Sequence, residues 1–176
     1  MTASKPIPEQ DSVVREIEIA APPQRVFQAL TDQRQLFTWW GAEPSVDLRK
    51  FDMEGRKGGK YYYECVAKPG SNLGPVAEIL HKNGASSFVC KGEVLEYDPP
   101  RLLVWSWIAN WHEHPEQATT VRWELTPTAK GTRVRVTHSG LRNEPISRKD
   151  YGQGWVGVLQ LLADYLGSDP KDVIVP

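Results

Sequence analysis

An α+β fold, in which a run of antiparallel strands is closed by one long C-terminal helix, is what this 176-residue sequence predicts. Three observations carry it. Residues 87 to 140 alternate apolar and polar positions in four blocks parted by the turn-formers PP, WHEHPEQ and TAKG. Residues 147 to 167 place Trp155, Leu159, Leu162 and Leu166 at spacings of 4, 3 and 4, which is one face of a helix. Ahead of both, a strand-like segment, two short helical segments and two further strands complete the order β-α-α-β(5–6)-α.

The elements follow in turn. VVREIEIA (13 to 20) puts Val13, Arg15, Ile17 and Ile19 on one parity, a half-buried strand. Ala21-Pro22-Pro23 ends it, and PQRVFQALTD spaces Val26, Phe27 and Leu30 as a helix with proline in its first turn. Asp32 is placed to cap a second helix, QRQLFTWW, in which Leu36, Phe37 and Trp40 share a side and Trp39 falls nearly a quarter-turn away. Gly41 stops that helix. SVDLRKF (45 to 51) and KYYYECVA (60 to 67) read as strands around the turn DMEGRKGG. GRKGGKY is one residue short of the phosphate-loop spacing and lacks the Ser or Thr that binds magnesium, so a glycine-rich turn is expected. Residues 68 to 86 look like an insertion with a short element inside. SFVCKGEVLEYD, RLLVWSWIAN, TTVRWELTP and TRVRVTHSG form the meander, with Pro99 and Pro100 at a hairpin because neither can donate to a ladder. Gly152, Gly154 and Gly157 each cost about 0.8–1 kcal/mol inside the last helix, which points to backbone packed closely against something.

A single domain over 12–167 is expected, between a tail at 1–11 and another at 168–176. With 21 basic and 22 acidic residues there is no global field for nucleic acid or an anionic membrane. No apolar run approaches the roughly 18 residues that span a bilayer. MTASKPIPEQDS has neither a secretory nor a transit-peptide pattern, so a cytoplasmic location is expected. Cys65 and Cys90 read as buried thiols, with a cross-strand redox pair as the alternative. WHEHPEQ offers His112, Glu113 and His114, but that spacing makes a poor metal site and a solvated loop is the expectation. Neither metal nor cofactor is expected, and either a monomer or a homodimer is allowed.

Seven tryptophans against four phenylalanines is unusual, because each buried indole N–H needs an acceptor that a dry core does not supply. That excess suggests a lined cavity. Alternation directs Trp105 and Trp107 to one face, Val121, Trp123 and Leu125 inward, and Val134, Val136 and His138 inward. Sequence alone leaves open whether Tyr61 and Tyr63, or Tyr62, point in. His138 can be a hydrogen-bonded core residue, a polar anchor for a ligand, or a general base.

The phrases GEVLEYDPPRLLVWSW, TTVRWELTP, GTRVRVTHSGL and GWVGVLQLLADYL, with WWG near the start, resemble the START-like (SRPBCC, Bet v 1-like) superfamily over about residues 13 to 166. The nearest group is the proteins similar to the C-terminal domain of the heat-shock protein 90 ATPase activator. The resemblance implies a helix-grip fold: a curved antiparallel sheet of six to seven strands around the C-terminal helix, with a cavity between. The 68–86 segment is longer than is usual there. The expected function is binding of a hydrophobic or aromatic small molecule, without catalysis, by Trp39, Tyr63, Trp105, Trp107, Trp123, His138, Tyr151 and Trp155. Trp39 is expected at the cavity mouth. The resemblance also implies a chaperone partner in a stress response as one alternative, and a cyclase- or hydrolase-type enzyme as another.

Overall fold

The computed structural model describes residues 11–167 and 173–176; the expected tails fall mostly outside them. The chain runs β1 (Ser12–Ile19), α1 (Pro23–Thr31), α2 (Gln33–Trp40), β2 (Val46–Met53), β3 (Lys60–Ala67), α3 (Pro75–Lys82), β4 (Phe88–Asp98), β5 (Leu102–Ala109), β6 (Thr119–Thr128), β7 (Gly131–Ser139) and α4 (Pro145–Tyr165). Seven strands form one antiparallel sheet in the order β1-β7-β6-β5-β4-β3-β2. The meander from β2 to β7 is thus continuous, and β1 adds itself beside β7. Register shifts between Leu48 and Lys50 in β2 and between Val94 and Glu96 in β4 mark bulges; bulges of this kind increase local twist and bend a strand. The sheet curls around α4, which is the helix-grip arrangement.

Local chemistry accounts for the boundaries. Pro23 opens α1, and the Asp32 carboxylate accepts from the backbone N–H groups of Arg34 and Gln35 to cap α2. The glycine-rich stretch is a turn between β2 and β3, where a Cβ on Gly59 would lie 2.1 Å from the Glu54 carbonyl oxygen. The short element inside the 68–86 insertion is α3. Val76 and Leu80 bury one side of it, and Asn83 Nδ2 donates to the Asn110 and His112 carbonyls at 3.0 and 2.9 Å.

The α2 expectation needs correction. Leu36, Trp39 and Trp40 are buried while Phe37 is 46% exposed. Trp39 does not stand at a cavity mouth: its indole N–H donates to the Ala29 carbonyl of α1 at 2.8 Å. An eight-residue helix held between α1, β2 and α4 has two covered sides. Neighbouring residues 100° apart can therefore both be interior.

Candidate functional site

A cavity of about 380 Å³ opens between α4, the end of α2, α3 and strands β2, β3, β4 and β5. That volume lies at the small end of ligand sites. Buried rings make its floor: Trp40, Tyr63, Phe88, Trp107, Trp111 and Trp155. Glu43, Asp150, Gln153 and Gly154 are more exposed and form its rim. Strand alternation explains the floor, since Tyr61 and Tyr63 both point inward while Tyr62 does not. Trp105 and Trp107 obey the same rule, and Trp111 continues their parity beyond β5.

The helix supplies the space. A Cβ on Gly154 or Gly157 would meet nothing within 4 Å, and both positions line the cavity. Only Gly152 matches the expectation of close packing: Arg15 Nε donates to its carbonyl at 3.0 Å, and a Cβ there would lie 3.2 Å from Arg15 Nη2. The other two leave a groove in the helix surface.

Of the eight residues expected around a ligand, Tyr63, Trp107, Tyr151 and Trp155 meet at the cavity. Trp39, Trp105, Trp123 and His138 do not line it. Trp105 and Trp123 are fully buried, with Trp123 edge-on to Trp155 at 5.6 Å and to Trp105 at 5.9 Å. Inward alternation told their face correctly, but α4 covers that part of the sheet through Trp155. Their indole nitrogens have no hydrogen-bond partner among the described residues. The edge-to-face geometry sets the positive rim of one ring on the negative face of the next.

His138 is a core residue with both nitrogens in use. Trp155 Nε1–H donates to its Nδ1 at 3.2 Å. A neutral imidazole has one donor and one acceptor, so Nε2–H donates to Thr119 Oγ1 at 2.7 Å, and Thr119 in turn donates to the Trp107 carbonyl at 3.2 Å. Burial, helped by nearby His112, holds its pKa well below the usual value. Protonation at Nδ1 would also oppose the indole N–H.

A second buried group was missed by the sequence reading. His112 is fully buried rather than solvated, and its Nε2 lies 2.6 Å from Tyr151 Oη. Trp107 Nε1–H donates to the same hydroxyl at 2.9 Å, which leaves the tyrosine hydrogen for His112 Nε2. Nδ1 then carries the imidazole proton, without a hydrogen-bond partner, 4.0 Å from Glu144 Oε1. The Glu144 carboxylate accepts from the backbone N–H groups of Glu113 and His114 at 2.7 Å each. That anchor, with Asn83, is what draws the loop inward. Burial lowers the His112 pKa to about 4. Among the described residues, no group of three or more His, Cys, Asp or Glu is placed to hold a metal.

Cys65, on the cavity wall, and Cys90, beneath it, are both free thiols. Burial, with Glu43 and Glu64 nearby, pushes Cys65 up to about 12, so it stays a protonated, poor nucleophile near neutrality. Burial also raises the Tyr63 and Tyr151 phenols well above their usual value. No helix among the described residues is long and apolar enough to cross a membrane.

The model of the family described as activator of Hsp90 ATPase homolog 1-like protein matches residues 20–167. The chain belongs to this family. No curated protein matches it in sequence. AHSA1-like structures share its fold. A protein from Chromobacterium violaceum aligns at a TM-score of 0.69 and 19% identity, over 90% of this chain and 99% of its own. The AHSA1 protein from Silicibacter pomeroyi aligns at 0.68 and 20%, over 89% and 97%. DynU16, a protein in the dynemicin biosynthetic locus, aligns at 0.63 and 20%, over 92% of this chain and 50% of its own length. At such identities the likeness is one of fold.

Proposed function

We propose that this AHSA1-like chain binds a hydrophobic or aromatic small molecule in the cavity under α4 and does not transform it. One observation carries the reading. Two glycines on α4 leave open space opposite a floor of indole and phenol rings, where ordinary helix residues would have filled it. Apolar burial drives binding at such a site, and a few polar rim groups set orientation. DynU16, which shares the fold, comes from a biosynthetic locus, a setting in which a small-molecule carrier has a use. Acid–base chemistry would need a base set against the reacting part of the guest; both nitrogens of His138 are committed elsewhere, and the two carboxylates at the cavity, Glu43 and Asp150, stand at its rim. The family description names an Hsp90 ATPase activator, but no feature of the described surface favours a chaperone partner over a small guest.

Four of the lining rings are tryptophans, Trp40, Trp107, Trp111 and Trp155, so occupancy is readable as a change in their fluorescence. Titration with the neutral dye N-phenylnaphthylamine is expected to saturate at one site, and Gly157→Leu, which fills the groove, to weaken it several-fold. Native mass spectrometry checks for a guest carried through purification. A folded protein that shows no saturable dye binding overturns the reading.

A further inference from the structure

Trp40, Tyr63, Trp107 and Trp111 pack tilted or edge-on against one another, with five centroid distances between 5.4 and 6.5 Å, and together form one aromatic wall of the cavity. The faces of such rings are electronegative, and a cation set against indole gains roughly 0.5–2 kcal/mol according to how dry the site is. The charged groups around the cavity all have one sign. Glu43 and Asp150 line it, and no Lys, Arg or His does. Arg15, Arg148 and Lys149 line an adjoining depression with Gly152, and Gln153 borders both. Glu43 already accepts from the Ser45 backbone N–H and Oγ, each at 2.8 Å. Asp150 has no ion-pair partner among the described residues.

Resting on the cavity reading above, we propose that the guest is a compact aromatic or alicyclic amine, protonated at neutral pH, seated on the aromatic wall with its ammonium group toward Asp150 and Glu43. The rings then form the apolar floor under the guest, and the rim carboxylates supply the counter-charge to its ammonium group. An anionic guest of equal size meets two carboxylates and no compensating cation.

A matched series separates this proposal from the reading beneath it. Naphthylmethylammonium, naphthylmethanol and naphthoate share one ring system and differ in charge, and their dissociation constants are measurable by calorimetry. The cation is expected to bind about tenfold more tightly than the alcohol, which converts to about 1.4 kcal/mol, and the carboxylate to bind most weakly. Asp150→Asn combined with Glu43→Gln should shrink the ratio of cation to alcohol affinity; each single variant, at the solvent-facing rim, gives the same readout if the pair fails to fold. An alcohol or carboxylate that binds as well as the ammonium overturns the amine class and leaves the cavity reading standing. Failure of all three to bind overturns both. A ratio unmoved by the carboxylate variants overturns the rim's role in recognition.

Discussion

His138 and His112 are the residues at which stability and pH meet. Each is interior and neutral, and each has a folded-state pKa below its unfolded value of about 6.5. As pH falls through that unfolded value, the unfolded chain takes up protons that the native state refuses, so stability is lost on acidification. Between pH 7.5 and 5.5 each histidine should cost about 1.3 kcal/mol. Urea midpoints measured across that window should fall with pH, and His112→Gln should flatten the slope. A midpoint that rises toward pH 5.5 contradicts the neutral assignment. Sequence alternation placed His138 on the interior face. It could not show that an indole and a threonine would occupy both ring nitrogens, because those partners come from α4 and β6. His112 was harder still. Charged neighbours in WHEHPEQ disguised it, and only the parity of Trp111 with Trp105 and Trp107 hinted that the loop turns inward.

Among the elements, α4 was the most legible and also the most misread. Its length and apolar stripe follow from Trp155, Leu159 and Leu162, all buried. Glycine in a helix interior points to tight packing, which holds for Gly152 alone; at Gly154 and Gly157 the missing side chains make room instead. Helix propensity then gives a prediction. Gly154→Ala meets no atom within 4 Å, so the variant should gain about 0.5–1 kcal/mol, visible as a higher urea midpoint. A loss of stability would show that this stretch of helix needs glycine for its backbone. The other elements lie within a residue or two of their sequence boundaries, because prolines, an Asp cap and hairpin turns fix ends locally. In α2 Leu36 and Trp40 are buried as expected while Phe37 and Trp39 exchange places, since an eight-residue helix leaves its orientation to its neighbours.

At the scale of the whole molecule, the order of β4 to β7 followed from a meander with turn-bounded connections, while the position of β1 beside β7 rests on contacts more than a hundred residues apart. The two sheet borders are treated differently. On β2, Asp47, Arg49, Lys50 and Asp52 carry exposed or half-exposed charge. On β1, Glu16 and Ile174 exchange backbone hydrogen bonds of 3.0 and 2.8 Å. Removing the chain after Gly167 should therefore shorten the time to turbidity of concentrated solutions in light scattering, and an unchanged time would show that β1 is guarded otherwise. Unpaired strand backbone invites a neighbour to extend the ladder. The last residues thus act as a selvedge, a finished border that keeps one copy from being knitted to the next.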